Sequence, residues 1–430
     1  MRILLVSQYW EPENGVPQRR WSWLANVLEK AGHELFVVAP PPHYKRRVSF
    51  KEWLAEKGYR SKEDSCEINS NRVVLRSGYV PGGDSISQKV LNQIAVAAGA
   101  IHVIVRRPGK LAGFQPDLVI GTVPAIPTAF VAALAARRFR APYVIDLRDA
   151  WPELLTVSDR WNAAMGEPSL RQRVLSKGPL QIAVGITNIW LNQVLKHASA
   201  VISTSSRLEK KLQARYPESQ KTYTVRNVFP PETLIAKEPL LDGPNDTLNV
   251  LYAGTLGRAQ NLANALWAAK EAELAGVHVR LRFVGAGAAK CELVELADRL
   301  GIEATFESYR SAELLRECYE WADTALVHLT DWSPLVEAVP SKTYELINQG
   351  LHISGVVQGE TADIIRRLKV GDVVEPESPE ALAQLWVGLA ENRSMLKVSD
   401  TGRRWVRHNQ EVVAPATIVE CVEWVYKTHQ

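Results

Sequence analysis

The sequence has little cysteine and no long apolar run. Only four of its 430 residues are cysteine, and no two form a CxxC pair. That pattern excludes a disulfide scaffold and a zinc knuckle, and is typical of a reducing cytoplasm. No run reaches 18 apolar residues, so we predict no transmembrane helix; the nearest stretch is residues 93–105. The apolar stretch in the first ten residues is too short for a signal peptide and predicts a buried first strand.

What is present is an ordinary globular composition with an uneven charge. Apolar residues make up 46% and charged residues 23%, which predicts two or three domains at this length. Residues 1–240 carry a net charge of +13, and residues 241–430 carry −9. The asymmetry predicts two domains with different partners. The basic half could bind an anionic membrane surface, a phosphate-bearing substrate or nucleic acid, or its charge could be an incidental surface property.

Strand and helix patterns alternate along the whole chain. Short apolar strands such as residues 3–7 and 143–146 are each followed or preceded by a helical pattern, and residues 229–247 are a Pro-, Gly- and Asp-rich interruption. This order predicts an α/β fold with two Rossmann-like, doubly wound parallel sheets. We predict a first domain over residues 1–232, a linker over 233–247 and a second domain over 248–412. A C-terminal helix, about residues 413–430, is expected to rejoin the first domain.

Two strand ends in the first half carry candidate site residues. Gly15 lies in a loop that opens onto a helix, where backbone N–H groups can bind an oxygen or phosphate; a plain turn is the alternative. Arg148 and Asp149 follow the strand at residues 143–146. Arg148 could bind a phosphate and Asp149 a proton or a sugar hydroxyl. The alternative is a structural Arg–Asp pair.

Two strand ends in the second half are rich in glycine. Gly254 and Gly285 allow a ligand to approach the backbone closely, and Arg258 is available for a diphosphate. The second loop is not a dinucleotide fingerprint, because Lys290 occupies the third glycine position, and no Walker A motif occurs.

The most informative stretch is residues 335–346. Ser341 after Pro340 predicts a helix N-cap, with the N–H groups of Lys342 and Thr343 free to bind phosphate beside the Lys342 ammonium. Glu345 lies one turn further in, where a carboxylate can accept two hydrogen bonds from a ribose diol. A second carboxylate, Glu337, stands eight positions earlier.

With these motifs the chain resembles a family-4 glycosyltransferase of the GT-B fold. It is most similar to the bacterial subgroup that builds surface polysaccharides and includes N-acetylfucosamine transferases. The resemblance spans nearly the full length, and Glu337 with Glu345 matches the family's Glu-x7-Glu pair. The other matching segments are the Gly15 loop, residues 32–35, 147–152, Asn227, residues 252–260 and residues 340–342.

The resemblance implies transfer with retention of anomeric configuration and without a protein nucleophile. Catalytic roles are expected for Asp149, which would orient a sugar or acceptor hydroxyl, and for Glu337, which would stand near the donor sugar. The expected donor-binding residues are Gly254, Arg258, Gly285, Ser341, Lys342, Thr343 and Glu345, with Glu345 on the ribose. Gly15 and Arg148 are expected on the acceptor side. Neither a metal nor another cofactor is expected, since no Asp-x-Asp motif occurs.

The implied partners are a nucleotide-diphosphate sugar donor, with a UDP-N-acetyl-hexosamine as the guess, and a lipid-linked sugar acceptor. The enzyme would then be cytoplasmic and peripheral, at the inner face of the plasma membrane. Anionic headgroups would contact residues 45–47, Arg106, Arg107 and Lys110. No nucleic-acid partner is expected, because the basic residues are scattered and no known module signature appears.

The chain departs from the family at two positions that bind the diphosphate in many members. Thr255 and Gln260 stand where many members have an arginine and a lysine. A catalytically weak or dead partner subunit therefore remains an alternative, and a sugar-nucleotide epimerase of the same fold is another.

Overall fold

The fold is described from a computed structural model, which covers all residues except 44–47, 64–71, 84–85, 124, 157–178, 218–219, 232–244 and 309–311. The described residues form two compact units. The first comprises those of Met1–Pro152, Ala183–Phe229 and Val412–Gln430, and the second those of Glu153–Ile182 and Pro230–Glu411. Most of the predicted linker, residues 233–244, lies outside the described residues.

Strands and helices alternate through both units. The strands are β1 Arg2–Val6, β2 Glu34–Ala39, β3 Lys62–Glu63, β4 Arg72–Arg76, β5 Leu118–Val123, β6 Tyr143–Leu147, β7 Ala200–Ser203, β8 Lys221–Thr224, β9 Thr247–Ala253, β10 His278–Val284, β11 Ala304–Glu307, β12 Thr324–His328, β13 His352–Val356 and β14 Gly371–Val374. The helices are α1 Val16–Lys30, α2 Phe50–Ala55, α3 Ile86–Arg106, α4 Ile126–Phe139, α5 Glu153–Thr156, α6 Pro179–His197, α7 Ser206–Arg215, α8 Ala263–Leu274, α9 Lys290–Leu300, α10 Ala312–Trp321, α11 Ser341–Gln349, α12 Gly359–Leu368, α13 Pro379–Glu391, α14 Asp400–His408 and α15 Ala414–Thr428.

The first unit is built on a sheet of order β3-β4-β2-β1-β5-β6-β7-β8. All neighbours pair in parallel except β3 with β4. Helices α3, α4 and α6 bury apolar residues in one core cluster with the sheet, and α1 contacts α15, the C-terminal helix. The strand order reverses at β1, which lies between β2 and β5. The carboxyl ends of β1, β5 and β6 are therefore where a doubly wound sheet binds its ligand.

The second unit has a sheet of order β11-β10-β9-β12-β13-β14, and every neighbouring pair is parallel. Its core includes the fully buried Phe283 and Trp386. Both faces of the strands are covered, as the continuous apolar runs predict. The predicted fold class, two doubly wound parallel-sheet α/β domains, is confirmed.

Two helices, α6 and α3, bear on the interpretation of the apolar stretches. The apolar segments on the two sides of Gly185 form one helix, because α6 runs through this residue from Pro179 to His197. Within the described part of the chain, residues Gln88–Arg106 of α3 are long and apolar enough to cross a membrane by length and composition, with 28% of them buried. Core helices meet the same criterion, so the expectation of no transmembrane helix stays a prediction.

Candidate active site

The start of α11 differs from the predicted cap. Pro340 is the N-cap residue, Ser341 is the first helical residue, and no side chain caps the helix. The Thr343 N–H donates to Pro340 O at 2.9 Å, so it is not free for phosphate as we expected. Helix geometry still leaves the N–H groups of Ser341 and Lys342 without an intrahelical acceptor. The Thr343 hydroxyl is buried and has no hydrogen-bond partner among the described residues.

Lys342 and Glu345 contact each other and a tyrosine from another helix. Lys342 Nζ lies 2.9 Å from Glu345 Oε2. The Tyr319 hydroxyl of α10 donates to Glu345 Oε1 at 2.6 Å, and Lys342 Nζ donates to the Tyr319 oxygen at 3.2 Å. Both carboxylate oxygens of Glu345 are thus engaged, and the carboxylate is fixed in one orientation. Sequence reasoning missed Tyr319, whose only local signal is its place on the buried face of an amphipathic helix.

The two glycine loops pack directly against one another. Gly254 N donates to Val284 O, and Leu256 N donates to Ala286 O, both at 3.0 Å. Gly285 has φ +155°, and a Cβ there would collide with the Gly254 carbonyl oxygen. The loops after β9 and β10 therefore require glycine at position 285 in order to lie this close.

Arg258 and Glu337 lie in short 3-10 turns at neighbouring strand ends. Arg258 begins the turn Arg258–Gln260 after β9, and Glu337 ends the turn Ser333–Glu337 after β12. Thr330 N donates to Ala259 O at 2.9 Å, which ties the first turn to the segment after β12. Both side chains are half-buried. The structure thus places them at the carboxyl edge of the second sheet, as their positions after strands predict.

A buried histidine lies beneath this edge. His328 ends β12, and its Nε2 lies 3.1 Å from Asn264 Nδ2 of α8. Burial lowers the pKa of His328 to about 3, against an opposing contribution from the backbone of Gln260. The imidazole is therefore neutral at physiological pH and accepts the Asn264 N–H.

In the first unit, a residue near the carboxyl end of β6 forms a buried ion pair with α1. Arg20 of α1 donates to Asp146 from Nη2 at 2.7 Å and from Nε at 3.1 Å. Trp21 Nε1 donates to the same carboxylate at 2.7 Å, and Arg20 Nη1 donates to Asn227 Oδ1 at 3.0 Å. Arg20 and Asp146 are both fully buried. The structural Arg–Asp pair therefore exists, but it joins Asp146 to Arg20 instead of using Arg148 or Asp149.

Arg148 and Asp149 remain available for a ligand. Neither has an ion-pair or hydrogen-bond partner for its side chain among the residues that the structure describes, and the Arg148 Nε and Nη1 atoms are buried. Solvent reaches Asp149, yet protein atoms surround it closely enough that desolvation raises the pKa of its carboxyl, while Arg148 opposes the rise. Gly15 is the N-cap residue of α1 and its backbone is extended. A Cβ at this position would collide with the Gln18 side chain.

Comparisons with known proteins decide the family. Residues 15–227 match the model of a glycosyl transferase 4-like domain, and residues 240–405 match that of glycosyl transferases group 1. The chain is a family-4 glycosyltransferase. Together the two models cover most of the chain, and the GT-B fold that the sequence implied is confirmed.

This glycosyltransferase has distant relatives that match most of its length. It is 23% identical over 389 residues to WcaI of Escherichia coli K12, whose name assigns it to glycosyl transfer in colanic acid biosynthesis; the match covers 89% of this chain and 90% of the relative. Sucrose-phosphate synthase from Thermosynechococcus elongatus superimposes with a TM-score of 0.67 at 14% identity, over 99% of both chains. Anabaena HepE in complex with UDP and glucose gives 0.60 at 14% identity, over 98% and 99%.

Proposed function

We propose that this glycosyltransferase moves a sugar from a UDP-N-acetyl-hexosamine type donor to a lipid-linked saccharide in the synthesis of a cell-surface polysaccharide. The main support for binding of the nucleotide-sugar donor is the Glu345 carboxylate, which Tyr319 and Lys342 hold one turn inside α11. The name of the Escherichia coli relative supports the pathway, and the UDP complex of a similarly folded protein supports the nucleotide.

The second unit would bind the donor. Glu345 accepts hydrogen bonds from the ribose hydroxyls, because a carboxylate oxygen keeps a second lone pair after accepting from Tyr319. Lys342 turns from Glu345 toward the diphosphate, where Arg258 and the first N–H groups of α11 add positive charge. The glycine loops let the backbone approach the donor. This set of groups supplies the charge for a leaving diphosphate without a divalent cation.

Transfer would follow the retaining course without a protein nucleophile. The bond between the anomeric carbon and the diphosphate oxygen breaks, and the acceptor oxygen bonds to the same face of that carbon. The acceptor hydroxyl gives its proton to the departing diphosphate oxygen, so the balance needs no further reactant. Asp149 and Glu337 orient hydroxyl groups of acceptor and donor, and the rate gain comes from positioning and charge stabilisation.

The membrane-facing surface would lie on α3 and α6. Apolar side chains on both helices are exposed, namely Val90, Leu91, Ile94, Ile182, Ile186, Ile189 and Trp190. Arg106 is an exposed basic residue at the end of α3. Arg107 differs, because its guanidinium donates to Leu111 O and Phe114 O and stacks over Phe139. Residues 45–47 lie outside the described residues. An apolar face with basic flanks favours peripheral binding at the cytoplasmic face of the plasma membrane.

A transfer assay with EDTA tests the proposed reaction. Membrane lipids with saccharide head groups serve as acceptor and radiolabelled UDP-N-acetylglucosamine as donor, and NMR assigns the anomeric configuration of the product. Transfer with retention in EDTA supports the proposal, and an inverted product or a need for metal contradicts it. Release of free sugar and UDP without an acceptor indicates the epimerase alternative. Donor binding without turnover indicates the inactive subunit to which Thr255 and Gln260 point.

A further inference from the structure

The half-buried Arg148 side chain has two buried nitrogen atoms that no described residue accepts a hydrogen bond from. Arg148 follows β6 and its backbone is fixed: Arg148 N donates to Val123 O at 3.2 Å, and Thr204 Oγ1 donates to Arg148 O at 2.8 Å. Nε and Nη1 are buried without a hydrogen-bond partner in the described part of the chain. Burial of an unpaired charge is costly, so a folded protein normally supplies a partner.

No described carboxylate accepts a hydrogen bond from Arg148. Asp146 is occupied, since its two oxygens accept three hydrogen bonds from Arg20 and Trp21. Asp149 is the next residue along, but no ion pair within 4.0 Å joins it to Arg148 among the described residues. Burial lowers the pKa of Arg148, the nearby Asp149 carboxylate opposes this effect, and repulsion from Arg20 adds to it. The Nε and Nη1 groups of Arg148 therefore keep hydrogen-bonding capacity that no described residue uses.

Arg148 lies where a doubly wound sheet usually binds its ligand. Arg148 lies at the carboxyl end of β6, two strands from β1, where the strand order of the first sheet reverses. Asp149, the next residue, is exposed to solvent and can accept a hydrogen bond from a hydroxyl group. A cation and a carboxylate that are adjacent but unpaired can bind one ligand that bears both an anionic oxygen group and a hydroxyl.

We propose that Arg148 binds the anionic group of a sugar phosphate or sugar acid on the acceptor side, with Asp149 accepting a hydrogen bond from a neighbouring sugar hydroxyl. This inference rests on the proposed function and narrows it, because it makes the acceptor an anionic saccharide. The shared chemistry is a phosphate or a carboxylate attached to a sugar ring, which guanidinium groups bind through charge-assisted hydrogen bonds.

The test measures binding of simple probes by calorimetry with the donor site filled by saturating UDP. The probes are glucose 1-phosphate, glucuronate, inorganic phosphate and neutral glucose, and the variants are Arg148→Gln, Arg148→Lys and Lys210→Gln. Lys210 is an exposed cation on α7 of the same unit and is the matched control. Phosphate and carboxylate sugars compared side by side identify which anionic group is preferred.

We expect at least one anionic sugar to bind the wild type more tightly than glucose. Arg148→Gln should weaken that binding about tenfold or more, Arg148→Lys should retain part of it, and Lys210→Gln should leave it unchanged. An affinity that Arg148→Gln leaves unchanged, or wild type that binds no anionic sugar, would overturn the proposal. So would a loss in Arg148→Gln of affinity for UDP instead, because it would assign Arg148 to the donor.

The melting temperature of each Arg148 variant shows whether a loss of binding reflects a folding defect. If Arg148 serves a ligand, removal of its unpaired buried charge in Arg148→Met should leave the melting temperature equal or higher while abolishing binding of the anionic sugar. A purely structural arginine predicts a lower melting temperature. UDP binding is recorded for every variant, so loss of the proposed donor function is distinguishable from failure of the Arg148 site.

Discussion

Tyr319 donates a 2.6 Å hydrogen bond to Glu345, although 26 positions separate the two residues in the chain. Tyr319 is fully buried on α10, and Glu345 lies on α11 with its other carboxylate oxygen on Lys342. A buried hydroxyl that holds one oxygen leaves the remaining lone pairs of the carboxylate aimed in one direction. The proposed ribose contact is therefore preorganised in the absence of nucleotide.

Removal of the tyrosine hydroxyl tests this preorganisation. Tyr319→Phe keeps the ring and loses only the hydrogen bond to Glu345, so the carboxylate should sample other orientations. We expect UDP affinity to fall several-fold, up to about tenfold, with a matching rise in donor KM and a smaller change in kcat. Isothermal titration calorimetry measures the UDP affinity, and initial rates measure the donor KM and kcat. A fall in kcat at constant donor KM would show that Tyr319 acts elsewhere.

The buried Arg20–Asp146 pair should be essential for the first unit. Asp146→Asn leaves the Arg20 guanidinium buried without its carboxylate, and loss of one partner of such a pair costs about 3–5 kcal/mol. Urea unfolding followed by tryptophan fluorescence measures the loss. Asp117→Asn, at an exposed bond to Arg2 N in the same unit, is the control and should cost much less. Equal losses in the two variants would contradict the account of a buried pair.

The buried His328 should make the stability of the second unit depend on pH. Its folded pKa of about 3 lies below the ordinary 6.5, so the unfolded chain binds a proton between these values and the folded chain does not. Stability is therefore lost as pH falls below 6.5, by about 1.4 kcal/mol per pH unit for this group. His328→Gln should reduce that slope in urea unfolding between pH 6 and 4. An unchanged slope would show that His328 is not responsible.

The contact between the glycine loops predicts a difference between two glycines. A Cβ at Gly285 would collide with the Gly254 carbonyl, whereas a Cβ at Gly276, which also has positive φ at +91°, would meet nothing within 4 Å. Gly285→Ala should separate the loops and weaken UDP binding, and Gly276→Ala should cost only backbone strain of about 1–2 kcal/mol. Calorimetry on both variants checks this. Equal UDP affinities of the two variants would show that the glycine loops are not part of the donor site.

The sequence predicted well what depends on local pattern. Alternating apolar runs identified both parallel sheets, and the spacing of Lys342 and Glu345 placed both on α11 near its start. It predicted poorly what depends on contacts between distant segments. Asp146 accepts hydrogen bonds from α1, and Glu345 accepts one from Tyr319 of α10. No local periodicity specifies which of these buried polar groups meet.

Local details also departed from the patterns where two preferences compete. Ser341 has a capping side chain, but Pro340 fixes its own φ and takes the N-cap position, so Ser341 becomes the first helical residue. Gly185 lowers helix propensity by only about 1 kcal/mol, and the packing of Leu191 and Leu195 on the sheet outweighs it. Neither outcome could be read from residue preferences alone.

The central claim, a nucleotide-sugar donor site built around Glu345, is tested most directly by UDP binding in EDTA. Calorimetry should compare wild type, Glu345→Gln and Glu391→Gln, the last an exposed carboxylate at the end of α13 in the same unit. We predict that UDP binds wild type and Glu391→Gln equally and binds Glu345→Gln about tenfold or more weakly, since charge-assisted hydrogen bonds are lost. No UDP binding by the wild type, or equal binding by Glu345→Gln, would contradict the account.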